Sequence, residues 1–283
     1  MQFPLDVCIN SQLNQHIYKI EEVLTCDAIA IFSPILYGLD SKVKEAIELN
    51  KNKKKSLVII LDTSGGVVEV VERMVNTIRN FYQEVTFIIP DKAMSAGTIF
   101  TLSGDRILMD YYSCLGPIDP QVEKDGKLVP ALSYLNQFDR LIKKANNGNL
   151  SSVEFALIDK LDLAELDLFK QATELSKELL IEWLCKYKFK DWKETKTKKL
   201  LVTDDFKKQR AKEIADILNN NERWHSHGRP INMNVIQNEI KLEVEDYNTI
   251  PDLGVCIKEY YSLLLDYMRR HNIITFVQSK EYF

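Results

Sequence analysis

The sequence Ala93-Met94-Ser95-Ala96-Gly97-Thr98 stands between two apolar segments of different kinds. The segment before it, residues 85–89, is short and consists largely of β-branched residues, which predicts a buried strand. The segment after it, with Ile99 and Phe100, is typical of a helix. A serine among small residues at such a junction lies on a sharp turn, where its hydroxyl and the first N–H groups of the helix are free. Free N–H groups beside a hydroxyl stabilise an oxyanion, so the stretch predicts a hydrolytic site at Ser95.

A second junction of the same kind lies about thirty residues upstream, at Leu61-Asp62-Thr63-Ser64-Gly65-Gly66. It too follows an apolar strand segment and precedes an amphipathic helix. Two such junctions in neighbouring parallel strands would face each other across a small cleft. The alternative is that Ser95 simply caps the helix with its side chain. The glycine pair favours the functional interpretation.

The first part of the chain alternates strands and helices. Strands are predicted at 27–33, 56–61, 85–89 and 106–109, and helices at 40–50 and 67–81. This order predicts right-handed βαβ crossovers and an α/β fold with a mainly parallel sheet. In such sheets the active site lies at the carboxyl ends of the strands, where both small-residue junctions stand.

The second half of the chain is predominantly helical. We expect three regions: a catalytic core over 1–130, a helical insertion or oligomerisation region over 131–221, and a segment over 222–283 that closes the core. The closing segment carries a C-terminal helix over 257–271.

Composition narrows the possible partners and the compartment. The net charge of −4 and the pI of about 5.7 do not indicate a nucleic-acid partner. No apolar run is long enough to span a membrane, and the N-terminus does not resemble a signal peptide. The five cysteines are scattered and the four histidines lack metal-type spacing. We therefore expect a soluble cytoplasmic protein without a metal or other cofactor.

Three segments taken together resemble a known family. They are Leu61–Gly66, Ala93–Gly97 and the stretch Leu115-Gly116-Pro117-Ile118-Asp119-Pro120-Gln121. In this order they are similar to the Clp-fold serine proteinases, in the branch called the serine dehydrogenase proteinase family, which is related to the Clp proteolytic subunit and to signal peptide peptidase A. A weaker similarity occurs at Trp224–Ile231.

The resemblance implies a ClpP/crotonase-like fold. This is a repeated ββα/βαβ core with a mainly parallel sheet, to which a helical insertion and a C-terminal helix are added. It also implies a homo-oligomer that acts on peptides or unfolded protein segments.

The family's site residues transfer to matching positions. Ser95 takes the position of the nucleophile. Gly65 and Gly66 match the loop that supplies one oxyanion N–H group, and Ala96, which follows the nucleophile, supplies the other. Residues without a Cβ suit such a loop because a peptide carbonyl must approach the backbone closely.

The general base departs from the pattern of the Clp subunit, because the region about 25 residues after Ser95 holds no histidine. A serine hydroxyl needs a base to become a good nucleophile. One candidate is His227, oriented by Asp119, since triads are defined by geometry and not by chain order. His225 is close enough in the chain to take the same role.

A lysine is the second kind of base, as in signal peptide peptidases, and it must be buried. Lys143, Lys144 and Lys170 lie at suitable distances along the chain. The third alternative is that no base exists and the protein does not cleave.

Three functions follow from these alternatives. The leading one is a soluble serine endopeptidase (a hydrolase) with an acyl-enzyme on Ser95. A non-catalytic ClpP-like scaffold or binding module is the second. The third is a crotonase-type enzyme, which shares the fold and stabilises enolates of acyl-coenzyme A with paired backbone N–H groups.

Overall fold

The apolar strand segments assemble into one central sheet in the computed structural model, which describes residues 4–124, 127–158, 161–195 and 199–283. The strands are β1 (Asp27–Phe32), β2 (Ser56–Asp62), β3 (Glu84–Ile88), β4 (Lys92–Ala93), β5 (Arg106–Met109), β6 (Cys114–Leu115), β7 (Gln121–Lys124), β8 (Lys127–Pro130), β9 (Ile231–Asn232), β10 (Glu245–Asp246) and β11 (Phe276–Ser279). The helices are α1 (Pro4–Val23), α2 (Leu39–Leu49), α3 (Val68–Phe81), α4 (Ala96–Thr101), α5 (Ala131–Asn146), α6 (Ser152–Ile158), α7 (Leu163–Trp183), α8 (Asp204–Asn219), α9 (Asn221–Trp224), α10 (Met233–Val235) and α11 (Leu253–His271).

The central sheet has the strand order β10-β5-β3-β2-β1-β11. All neighbouring strands are parallel except β1 and β11. The predicted α/β fold with a mainly parallel sheet is therefore confirmed. The carboxyl ends of β2, β3 and β5 meet at one edge of this sheet, which is where a ligand can bind.

Helices cover the sheet on both faces, as its unbroken apolar strands require. Alternate residues of β1 and β2 point to opposite sides. Ile29 and Ile31 belong to the core under α2, α3 and α4, whereas Ala28 and Ala30 belong to the core under α1 and α11.

Helix α1 was not predicted from the sequence. Its buried residues Ile9, Leu13, Ile17 and Ile20 are spaced three or four apart and pack against α11. Helix α11 begins at Leu253, four residues before its predicted start. Within the described ranges, no helix combines the length and the apolar character needed to cross a membrane.

A smaller sheet of β4, β6 and β9 continues from the edge that carries the carboxyl ends. It is joined to the tip of β2 by a parallel bridge between Thr63 and Ala93. Strand β6 runs parallel to β4, and β9 runs antiparallel to β6. This small sheet brings three distant parts of the chain together.

The helical region divides by its packing. The C-terminal half of α7 and helix α8 contribute Leu180, Trp183 and Ile214 to the main core. Helix α5 and the start of α7 instead share a small separate cluster around Ala131 and Phe169. The expected division of the chain at residues 130 and 221 stays a prediction.

Candidate active site

Ser95 occupies a strained turn between β4 and α4. Its φ of 53° and ψ of −120° are unusual for a residue with a side chain. It stands at the N-cap of α4, yet its side chain makes no capping hydrogen bond. Among the described residues, Ser95 Oγ has no hydrogen-bond partner at all. The half-buried hydroxyl is thus free, and the geometry does not fit an ordinary capping serine.

The diglycine loop lies directly against this serine. A Cβ on Gly65 would stand 2.8 Å from Ser95 Cβ and 2.6 Å from Met94 O, which is too close for any side chain. Gly65 also has a φ of 95°, in the region that favours glycine. The two small-residue junctions therefore meet, as the sequence predicts for an oxyanion site.

The backbone N–H groups of this cleft are not equivalent. Gly65 N–H donates to Thr63 Oγ1 at 3.1 Å. In the described part of the chain, the N–H groups of Gly66 and Ala96 have no acceptor. Gly66 is exposed, and a Cβ there would come within 2.1 Å of Ile35 O. Gly66 and Ala96, which the sequence analysis named as oxyanion residues, thus carry N–H groups that no acceptor occupies among the described residues.

Backbone pairing holds the two junctions together. Thr63 N–H donates to Lys92 O at 3.0 Å, and Met94 N–H donates to Thr63 O at 3.1 Å. A Cβ on Gly97 would lie 2.3 Å from Thr63 Cγ2, so only glycine lets α4 approach the tip of β2 this closely.

His227 and Asp119 form a hydrogen-bonded pair. His227 Nδ1 lies 2.9 Å from Asp119 Oδ1, although 108 residues separate them in the sequence. Asp119 is buried, and its Oδ2 accepts a hydrogen bond of 3.0 Å from Gln121 Nε2. With Nδ1 donating to Asp119, the other ring nitrogen of His227 is left as a proton acceptor.

The small sheet places this pair at the same end as Ser95. Ala93 of β4 is in register with Leu115 of β6, and Leu115 is in register with Ile231 of β9. Asp119 follows β6, and His227 precedes the antiparallel β9. Because β6 runs parallel to β4 and β9 runs antiparallel to β6, Asp119 and His227 both lie at the end of the small sheet where β4 leads into Ser95.

The other candidate bases lie in different surroundings. His225 is exposed, and its backbone N–H donates to Asn221 O without a side-chain link to Asp119. Lys143 is exposed on α5. Lys144 pairs with Glu154 and is 54% exposed, and Lys170 pairs with Glu174 and is 63% exposed. These three lysines lack the burial that a lysine base requires.

The sequence analysis gave no role to Asp62 and did not single out Tyr261. Tyr261 Oη donates to Asp62 Oδ2 at 2.9 Å beside the diglycine loop. Burial, partly opposed by that hydrogen bond, raises the pKa of Asp62 to about 6. The available signal was an aspartate at the end of a buried strand, four residues before Gly66.

In the part of the chain that the structure describes, no three His, Cys, Asp or Glu side chains are grouped so that they would hold a metal ion.

Comparison with known proteins identifies a family that this chain matches. The family model described as "ClpP-like SDH-type serine proteinase" matches residues 8–280. Two uncharacterized proteins of Methanocaldococcus jannaschii are similar. MJ1495 is 26% identical over 79% of this chain and 63% of its own length, and MJ0137 is 26% identical over 74% and 59%. The chain thus spans about three fifths of the length of these relatives.

Two solved structures are also similar over part of the chain. One is a serine-to-alanine variant of the 1510-N membrane-bound stomatin-specific protease, with 21% identity, a TM-score of 0.33, and coverage of 39% of this chain and 56% of that one. The other is a lysine-to-alanine variant of the same protease in complex with a substrate peptide, with 24% identity, a TM-score of 0.32, and coverage of 39% and 54%.

Proposed function

Because the chain belongs to the ClpP-like SDH-type serine proteinase family, we propose that it is a serine peptidase that cleaves peptide bonds through an acyl-enzyme on Ser95. The observation that supports this proposal is the close approach of Gly65 to Ser95, whose hydroxyl makes no capping hydrogen bond.

The first step is attack by Ser95 Oγ on the carbonyl carbon of the scissile peptide. His227 accepts the hydroxyl proton on the ring nitrogen that does not face Asp119, which makes the oxygen a competent nucleophile. Buried Asp119 holds the ring in this tautomer and stabilises the imidazolium that forms. The imidazole has to come within hydrogen-bond distance of Ser95 Oγ when substrate is bound.

The tetrahedral oxyanion is bound by the N–H groups of Ala96 and Gly66. Gly66 is assigned this role in preference to Gly65, whose N–H already donates to Thr63 Oγ1. Such preorganised donors each contribute about 3 kcal/mol to the transition state. His227 then gives its proton to the leaving amine, the C–N bond breaks, and water attacks the ester of Ser95 by the same route in reverse.

The substrate is a peptide segment in an extended conformation. Gly66 forms a parallel bridge with Ile35, so the diglycine loop has strand geometry, and its other edge is accessible because Gly66 is exposed. An extended peptide adds to such an edge through main-chain hydrogen bonds. Assembly as a homo-oligomer stays a further proposal from the family resemblance.

A fluorophosphonate probe tests the nucleophile. We expect one probe per chain on the wild type and none on Ser95→Ala. Ser41→Ala is the matched control, because Ser41 is an exposed serine on α2 that takes no part in the proposed mechanism, and its loss should leave labelling unchanged. A folded wild-type protein that takes up no probe would favour the non-catalytic scaffold.

A second experiment tests the base. His227→Ala should slow labelling by a factor of about 10³ or more, since loss of the base leaves only the oxyanion site and binding. His225→Ala, a histidine change in the same loop, should keep the wild-type rate. Equal rates in the two variants would remove His227 from the mechanism.

A further inference from the structure

A group of three oxygen-bearing side chains lies beside the proposed oxyanion site and takes no part in the mechanism above. The hydroxyl of Tyr261, on α11, donates to the Asp62 carboxylate at 2.9 Å and also interacts with the carboxylate of Asp91. Asp62 ends β2, and Asp91 lies between β3 and β4. A phenol from a helix therefore joins carboxyl groups from two neighbouring strand ends.

The hydrogen-bonding capacity of this group leaves room for one additional proton. A phenol has one hydrogen, and an ionised carboxylate only accepts. With both carboxylates ionised, Tyr261 can satisfy one of them and the other faces it unpaired. With one carboxyl protonated, that carboxyl donates to the phenol oxygen and the phenol donates to the second carboxylate, so both contacts are made. Burial raises the pKa of Tyr261 above its usual range, so the phenol keeps its own proton.

The charged neighbours place the additional proton on Asp62. Lys92 Nζ lies 3.9 Å from Asp91 Oδ2, so a cation stands next to Asp91. Burial and the nearby Asp91 both raise the pKa of Asp62, while Tyr261 and Lys92 lower it. A further titratable group that faces both carboxylates is the half-buried thiol of Cys114, on β6, whose pKa burial raises.

The placement of the two carboxylates relative to the site is the same on both strands. Asp62 stands four residues before Gly66, and Asp91 stands four residues before Ser95. The backbone between them is paired through Thr63 N–H and Lys92 O. A change in the distance between Asp62 and Asp91 therefore acts on the two segments that carry the Gly66 N–H group and the Ser95 hydroxyl.

We propose that Asp62, Tyr261 and Asp91 share one proton, and that this proton holds the diglycine loop and the Ser95 turn at the spacing required for oxyanion binding. The three are positioning residues, and their effect on catalysis rests on the proposed function. Loss of the proton leaves two carboxylates that repel each other beside the cleft. It also adds a negative charge near the developing oxyanion, which disfavours it.

The amide resonances of Gly66 and Ala96 report the effect without any need for activity. Histidines titrate in the same pH range, so the measurement is made in a His227→Ala background. We expect both amide shifts to follow one titration with a midpoint near pH 6, and we expect Asp62→Asn in that background to abolish it. Amides that do not respond between pH 5 and pH 8 would overturn the proposal.

Two further variants move the midpoint in opposite directions. Asp91→Asn removes a like charge and should lower the midpoint, whereas Tyr261→Phe removes a donor to the ionised carboxylate and should raise it. Tyr247→Phe, a tyrosine change beside another strand-end aspartate, should leave it in place. A purely structural role would give no such opposed shifts, and shifts in one common direction contradict a shared proton.

Fluorophosphonate labelling then tests the link to catalysis. The ratio of the labelling rate of Asp62→Asn to that of the wild type cancels the contribution of His227. It should be near one at pH 5 and rise to about tenfold at pH 7, because about a tenth of the wild type then keeps the proton and the variant cannot ionise. A ratio that is constant with pH removes the catalytic role even if the amides titrate. If the wild type takes up no probe while the amides titrate, the shared proton stands and the proposed peptidase function fails.

Discussion

Two aspartates at the carboxyl ends of parallel strands, Asp62 after β2 and Asp110 after β5, both contact a tyrosine, but their pKa values move in opposite directions. Burial raises the pKa of Asp62 to about 6, and the hydroxyl of Tyr261 and the charge of Lys92 oppose it only in part. Burial works the same way on Asp110, but hydrogen bonds from Tyr247 and from the Ser113 and Tyr112 N–H groups outweigh it and lower its pKa.

The difference lies in the number of donors that face each carboxylate. The Oδ1 of Asp110 accepts from Tyr112 N–H, Ser113 N–H and Ser113 Oγ, each at 2.9 Å. Asp62 has the Tyr261 hydroxyl and, nearby, a second carboxylate. Donors stabilise the ionised form, whereas desolvation and like charge destabilise it. Asp110 therefore stabilises its strand end, and Asp62 is kept beside the proposed site at a cost in stability.

The largest effect is expected where the donors are most numerous. Asp110→Ala would leave the buried N–H of Ser113 and the buried hydroxyl of Tyr247 without their acceptor. We expect a loss of about 3 kcal/mol in the free energy of unfolding, measured by urea denaturation at pH 7. A loss below about 1 kcal/mol would mean that water replaces the carboxylate at this strand end.

Removing the carboxylate of Asp62, at the end of β2, is expected to stabilise the protein, which is the opposite of the effect expected at Asp110. The folded pKa of Asp62 is about 6, against 3.8 for an unperturbed aspartate, so this group contributes stability below about pH 4 that is lost as the pH rises through 6. Asp62→Asn removes the titration, and we expect it to raise the free energy of unfolding by about 1 to 3 kcal/mol at pH 7.5. A destabilised Asp62→Asn at this pH would contradict the assignment of a raised pKa.

The pH dependence separates the two aspartates further. The Asp110 contribution is present above the unfolded pKa and is lost as the pH falls through the lowered folded value, so Asp110→Asn should be less stable than the wild type by about 1 kcal/mol at pH 6 and equal to it in strong acid. The advantage of Asp62→Asn should instead grow from pH 4 to pH 6. Parallel urea titrations across pH 3 to 7 measure both, and curves of the same slope would remove the contrast.

The smallest effects are expected at the two tyrosines. Tyr247 is 1% exposed, so Tyr247→Phe should destabilise by about 1 kcal/mol through the lost hydrogen bond. Tyr261 is half-buried, so water can replace part of its hydrogen bond to Asp62, and Tyr261→Phe should change stability by about 0.5 kcal/mol or less. Thermal unfolding of the two variants at one pH ranks them, and the reverse order would show that Tyr261 is the stronger structural contact.

Local patterns were sufficient for much of the fold. The apolar run of β2 and the helical spacing of α3 follow from interactions among near neighbours in the chain, so they can be read without knowledge of the rest. The small residues Gly65, Ser95 and Gly97 also predicted that two strand ends approach each other closely, since only such residues permit this. Helix α1 was not predicted because its apolar stripe is narrow and is buried only when α11 packs against it.

Contacts between distant segments depend on the assembled sheet. The His227–Asp119 pair spans 108 residues and exists because β9 lies antiparallel to β6, while the Asp62–Tyr261 pair spans 199 residues. The choice of Gly66 over Gly65 as an oxyanion donor likewise depended on which N–H group Thr63 occupies. The amino-acid order thus specified the main parallel strands and the turn that carries Ser95, the proposed nucleophile, because backbone sterics and periodicity are local properties. Folding in three dimensions determined the partner of His227 and the raised pKa of Asp62, because burial and the count of facing donors exist only after distant elements have packed.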